Sequence, residues 1–276
     1  MLVNNKNFNH LKVHTQYSIC EGAIKIDELA DYCKLNKIKS IGLADSYNLC
    51  GALEFSEKIS KVGTHPIIGT QLNLKRSDII GKVSLYAQSE EGYKNLTKLS
   101  SRSYLKNDEL MDGPSCTIDD LAENNEGLIL LTGNYTNFFG KLFFKNKLKE
   151  FEKILKFLKN SFKDRLYLEI QRHNESQEKN FENFLLNTSK NLQLPLIATQ
   201  EIFYLNKDMY EAHDALLCIG KKNFVDDKDR FRYSNQHYLK PQKEIEKLYS
   251  DIPEALENNY NFHLRFNFKP KRSKPI

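Results

Sequence analysis

Asn9-His10-Leu11-Lys12-Val13-His14-Thr15-Gln16-Tyr17-Ser18, closed by Cys20-Glu21-Gly22-Ala23, is the stretch whose reading decides the fold of this chain. It is an extended run that ends in a turn, with His10, Lys12 and His14 spaced two apart. Side chains two apart on a strand share a face, so these three are expected to converge on one small volume. Metal-binding imidazoles are presented in this way, one ring nitrogen on the metal and the other held by an acceptor. Lys12 is discordant, because a protonated ammonium repels a cation instead of ligating it. On spacing alone the competing reading is a strand with one solvated basic edge.

Outward from this run the chain alternates between strand and helix patterns. Ile26, Leu29, Ala30 and Cys33 recur at helical spacing within 24–36, and 40–44 is a short apolar strand. A helix over 52–62 with Gly63 at its end and a strand over 65–74 follow. Further strands are expected over 83–87, 127–132, 165–170 and 195–199, with helices between them and a break near Asn146. Ser89 and the Thr117-Ile118-Asp119-Asp120 run read as helix caps, and the polar segment 104–115 as a loop. Such alternation implies parallel strands with helices packed outside. A closed or nearly closed barrel fits better than an open sheet, since no Gly-x-Gly-x-x-Gly follows any strand.

Three blocks in order carry a family resemblance. They are His10-Leu11-Lys12-Val13-His14-Thr15-Gln16-Tyr17-Ser18 with Glu21-Gly22-Ala23, then Ala44-Asp45-Ser46-Tyr47-Asn48-Leu49-Cys50-Gly51-Ala52, then His65-Pro66-Ile67-Ile68-Gly69-Thr70-Gln71. Residues 8–71 thereby resemble the start of the polymerase-and-histidinol-phosphatase (PHP) domain of bacterial DNA polymerase III alpha subunits. Glu91-Gly92-Tyr93-Lys94-Asn95-Leu96, the helix around 208–214, Tyr238-Leu239-Lys240 and Ile252-Pro253-Glu254-Ala255-Leu256 extend the resemblance over nearly the whole chain. It implies a distorted TIM-like (β/α) barrel of the PHP type over about 8–205, a helical closing segment over 206–265, and a basic linker over 266–276 towards a polymerase core.

Active members of that family are similar in holding divalent metals with His, Asp, Glu and sometimes Cys at the strand ends. Carried over position by position, the ligands fall on Lys12, His14, Glu21, Ser46 behind Asp45, Gln71, Asn134, His173, Glu201 and Phe203. Lys12, Ser46, Gln71, Asn134 and Phe203 are poor or impossible ligands, whereas His14, Glu21, His173 and Glu201 could still bind. The resemblance therefore implies a degenerate site with no resident metal, in which Lys12 takes a cation's place beside Glu21 or Glu201. Magnesium is expected only for the absent polymerase core.

The remaining composition bounds the partners. The chain has 276 residues, of which 40% are hydrophobic and 28% charged, with a net charge of +5, so it can bury a sizeable core and carries no large basic excess. No run of about eighteen apolar residues occurs, the first residues lack a signal peptide, and five scattered cysteines make no Cys-x-x-Cys pair, so a reduced cytoplasmic setting is expected and no membrane. The resemblance implies docking of a proofreading exonuclease subunit and of the rest of the polymerase III holoenzyme, with DNA met through the full-length protein. The loop holding Arg230, Phe231, Arg232, Tyr233 and Tyr238 has an interface-like composition, against the reading that its aromatics pin it to the barrel. The rival functions are an active phosphoesterase or 3′–5′ exonuclease, and a nucleic-acid-binding module suggested by the basic tail.

Overall fold

The computed structural model describes residues 6–105 and 113–272. In chain order the elements are β1 (His10–Val13), α1 (Ile26–Leu35), β2 (Ser40–Ser46), α2 (Ala52–Lys61), β3 (His65–Arg76), β4 (Ile79–Ala87), α3 (Glu90–Leu105), β5 (Ser115–Cys116), α4 (Ile118–Glu123) and β6 (Leu128–Leu131). They continue with α5 (Phe138–Phe144), α6 (Leu148–Phe162), β7 (Leu166–Gln171), α7 (Glu178–Leu192), β8 (Leu196–Thr199), β9 (Glu201–Ile202), α8 (Tyr210–Lys221), α9 (Gln242–Leu248) and α10 (Pro253–Phe262). Local chemistry sets several boundaries. Thr117 and Asp120 form a reciprocal capping box at α4, and Asn146, at φ 55°, separates α5 from α6 where the sequence placed a break. The loop expected over 104–115 lies largely outside the described residues.

The strand order is β8-β7-β6-β4-β3-β2-β1-β9, with β5 added to β3. Its first and last members, β8 and β9, are separated by Gln200 alone, so the sheet curls until its two ends are neighbours in the chain. The result is a nearly closed barrel with helices outside. It is mixed, not all-parallel as the alternation suggested: β4 runs antiparallel to both β3 and β6. The cause is a tight hairpin at Ser77-Asp78, with Ser77 at φ 52°, which extends β4 back to Ile79. The Arg76-Ser77-Asp78 run carries no glycine and gave no hairpin signal.

Inside the barrel Leu11, Ala44, Tyr86, Ile129 and Ile197 meet Phe262 and Phe266, which enter from the C-terminal helices. The two phenylalanines close the end of the barrel where the parallel strands begin. Gly69 makes room there, since a Cβ would lie 2.4 Å from the Tyr86 ring. Two further apolar shells join the helices to the outer face of the sheet. The expected linker does not begin at residue 266. Phe266 is buried in the barrel, Phe268 packs on Tyr93 at 5.3 Å, the Ser56 hydroxyl donates to the Pro270 carbonyl at 2.9 Å, and Arg272 grips Glu57 at 2.7 and 3.0 Å. Residues 266–268 thus pack on the barrel and α3, and 269–272 run along α2; 273–276 lie outside the described residues. Among the described residues no helix is long and apolar enough to cross a membrane.

Candidate functional site

The opposite end of the barrel, where the parallel strands finish, is polar. Pairing of Lys12 with Glu201 in register on β1 and β9, and the inward alternation of β7, bring Lys12, Glu169 and Glu201 together. The Lys12 ammonium lies 3.2 Å from Glu169 Oε1 and 3.4 Å from Glu201 Oε2, and its side chain has no solvent exposure. Burying charge costs several kcal/mol per ion unless it is paired and hydrogen-bonded, roughly as found here. Glu169 is saturated: it accepts from the Gly133 N–H at 2.8 Å, from Gln171 Nε2 at 2.7 Å and from the Thr199 hydroxyl.

Glu201 is the hub on the other side. It accepts from Gln71 Nε2 at 2.7 Å and faces His14 Nε2 at 2.9 Å. Burial alone would push the Glu201 carboxyl up, but Lys12, His14 and Lys82 hold it well below the usual carboxylate range. The second nitrogen of His14 meets the Ser18 hydroxyl at 3.2 Å, so both ring nitrogens are engaged. His173 is also fully engaged, accepting from the Glu201 N–H at 3.1 Å and facing Glu178 at 3.3 Å through Nδ1. Burial drives its pKa down to about 3 although Glu201 pulls the other way, and its ring stacks on His237 at 4.0 Å. Phe203 stacks on His14 at 4.6 Å and on Tyr233 at 4.5 Å.

A second cluster lies beside the first. Glu21 does not reach Lys12, as the sequence suggested it could; both its oxygens accept from Lys82 Nζ, at 3.0 and 2.9 Å, and the Ser46 hydroxyl joins them. Burial raises the Glu21 carboxyl, but Lys82 and His14 bring it below its ordinary value. Asp45 knots the loop after β1, accepting from the Thr15 N–H at 2.6 Å and from the Thr15 and Ser18 hydroxyls at 2.7 Å each. Asn134 turns back on its own loop through Thr136 and donates to Gln171 at 3.1 Å.

Three expectations are corrected here. His10 does not join Lys12 and His14: the register shifts between His10 and Val13, and its ring lies edge-on to Phe8 at 5.3 Å. Of the two carboxylates expected beside Lys12, Glu201 is there at 3.4 Å and Glu21 is not: Glu169 on β7 takes the second place at 3.2 Å, while Glu21 is held by Lys82 on β4. In the late loop, Arg230 is buried in a bidentate pair with Asp214, Tyr233 packs on Phe203, and Tyr238 is buried with its hydroxyl on Glu244. Only Phe231 and Arg232 of that set remain substantially exposed, and Arg232 is itself bonded to Glu211 and Asp214.

Glu169 and Lys82 were not singled out in the sequence. Glu169 had a signal, a lone acid inside the apolar run Leu166-Tyr167-Leu168-Glu169-Ile170; Lys82 fell just outside the strand expected over 83–87. With Lys12 among the carboxylates, the imidazoles committed and Gln71 presenting its NH2, the residues do not fit a divalent metal centre. Among the described residues no group of three or more His, Cys, Asp or Glu side chains could hold a metal ion.

A mixed, nearly closed barrel with helices outside and a charged mouth at the strand ends defines a class, and the comparisons place the chain in it. The PHP domain model matches residues 10–173, and the chain belongs to that family. Its curated relatives include the DNA polymerase III subunit alpha of Caulobacter vibrioides, 37% identical over 98% of this chain and 24% of the relative. That of Rickettsia bellii is 34% identical over 98% of this chain and 23% of its own length, so the chain spans about a quarter of these relatives. Among solved structures, an amidohydrolase from Chromobacterium violaceum aligns at a TM-score of 0.46 and 9% identity, over 75% of this chain and 96% of its own.

Proposed function

We propose that this chain is the PHP portion of a bacterial DNA polymerase III alpha subunit and serves replication as a non-catalytic structural and docking domain. The observation that carries the reading is the sealed Lys12 ammonium between Glu169 and Glu201, where an active centre needs a metal. A metal-generated hydroxide has no place in such a site, so hydrolysis by the PHP barrel is lost while its frame is braced by charge-assisted hydrogen bonds. Polymerisation and its magnesium belong to a core beyond this chain.

A barrel kept without its chemistry serves through its surface, and the partner is the proofreading exonuclease subunit. Support for a docking face at the rim of the mouth comes from Ile19, Ile219, Phe224 and Phe231, large apolar side chains exposed on the turn after β1, on α8 and on the following loop. Stable docking buries on the order of 1,200–2,000 Å² around such anchors. The test is to purify the domain, assay bound metal and hydrolysis of single-stranded DNA and phosphomonoesters with manganese or zinc, and titrate it with its cognate exonuclease. The expected result is no stoichiometric metal, no turnover, and binding that Phe224→Ala with Phe231→Ala weakens at unchanged melting temperature. Turnover abolished by changing His14 or His173 would overturn the non-catalytic reading, and failure of the unaltered domain to bind would overturn docking.

A further inference from the structure

We propose that the outer face of α6 is a second interaction surface, a lysine ridge that lies along the phosphate backbone of duplex DNA without reading its sequence. It adds to the docking role proposed above and takes from the replication role only the choice of DNA among polyanions.

The charge of the chain is not spread evenly. Residues 141–165 hold nine Lys and Arg against three Asp and Glu, so this stretch alone carries +6, while the whole chain carries +5 from 41 basic and 36 acidic residues. The other residues, 32 basic against 33 acidic, are balanced, so a general abundance of lysine does not account for the excess. α6 sorts this charge by face. Phe151, Ile154, Leu155, Leu158 and Phe162 are buried against the barrel, and Lys149, Lys153, Lys156 and Asn160 recur along the opposite, exposed side at helical spacing. Lys163 continues the line at the turn that ends the helix, at φ 55°, so the ridge runs for roughly 20 Å.

The nearby acids do not neutralise the ridge. Glu150 is taken by Arg76 at 2.8 Å and Asp164 by Arg265 at 2.7 Å, both arginines from other parts of the chain, and only Lys156 holds an acid of the helix, Glu152, at 2.6 Å. Lys149, Lys153 and Lys163 are exposed and have no acidic partner among the described residues. Shape then selects what binds. The apolar face of α6 is already spent on the barrel, which leaves none to enter a lipid surface. Single strands are held in basic grooves lined by rings on which successive bases stack, whereas this face is a convex ridge with only Leu148 and Phe157 part-exposed on its flanks. A row of ammonium groups on a rigid helix answers the dense, repeating phosphates of a duplex, which carries one charge per about 1.7 Å of its axis.

The experiment titrates the whole chain into a labelled duplex of random sequence, the same oligonucleotide single-stranded, and labelled polyglutamate, reading fluorescence anisotropy at low and at physiological salt. The duplex is expected to bind tightest, with log K falling against log salt at a slope of roughly −3 to −4 for about four neutralised phosphates. Lys149→Gln, Lys153→Gln, Lys156→Gln and Lys163→Gln together are expected to weaken duplex binding by about tenfold or more at low salt, with an unchanged melting temperature. A matched variant of the same net charge, Lys25→Gln, Lys34→Gln, Lys37→Gln and Lys61→Gln on and beside α1 and α2, is expected to stay within about twofold of the unaltered chain. If the ridge variant does not accumulate folded, the pair Lys153→Gln with Lys163→Gln, expected to lose about threefold, decides the same point. Equal losses in the ridge and matched variants overturn the inference, as does tighter binding to the single strand or to polyglutamate, or an unaltered chain that binds no duplex at low salt. None of these outcomes touches the exonuclease titration, which tests the docking role by itself.

Discussion

The two ends of the barrel are built on opposite principles. At the end where the strands begin, Phe262 and Phe266 push against Tyr86 and Tyr167 in a plug of apolar contacts. At the other end charged and polar side chains are paired one to another: Lys12 to Glu169 and Glu201, Gln71 to Glu201, Ser46 and Lys82 to Glu21. Apolar packing is non-directional, so any residue of similar volume serves, whereas a buried polar group left without its partner costs roughly 1–3 kcal/mol and more if charged. Lys12, Ser46, Gln71 and Phe203 each sit against a specific neighbour: Glu169, Glu21, Glu201 and His14 in turn.

The sharpest way to break this contrast is Lys12→Ala. A sealed ammonium between two carboxylates sets the expected loss at about 3–5 kcal/mol, read as a lower denaturant midpoint. An unchanged midpoint would erase the distinction between the ends. Acid comes next. His173 titrates at about 3 in the fold and near 6.5 when unfolded, so the unfolded chain takes up the extra proton between those values and stability falls as pH drops from about 6.5. Glu201, held below its ordinary 4.5, contributes stability above that value and loses it as pH falls through its folded pKa. The melting temperature should accordingly decline from pH 7 to pH 4, and a flat profile would show that the mouth does not hold the barrel. The smallest effect is expected at the plug, where Phe262→Leu should cost about 1 kcal/mol in the same denaturation assay because the neighbours can close in.

The sequence made the frame legible because helical and strand periodicities are local, and the caps at Thr117 and the break at Asn146 were read correctly for that reason. The direction of β4 was not, since it depends on a two-residue turn without glycine. Within the mouth, His14, Glu201, Gln71 and Phe203 were located by motif. Glu201 was expected beside Lys12, but Glu169 and the Lys82 partner of Glu21 were not, because which strands face one another in a barrel is recorded by no spacing along the chain. His10 misled for a related reason: alternation placed it with Lys12, and an irregular register removed it.

The seam at Gln200 sets an order of events for the growing chain. β1 gains its first neighbour, β2, after only a few dozen residues, but its other edge must wait for β9. The contact of His14 with Glu201 spans 187 residues, and that of Lys12 with Glu169 spans 157. Contacts so distant in sequence carry a high closure cost and form late. Until Glu201 and Ile202 arrive, β1 is an open sheet edge bearing a lysine, a charge of the kind that discourages edge-to-edge aggregation. Lys12 thus lies on the edge that closes last and joins β7 to β9 once it has closed.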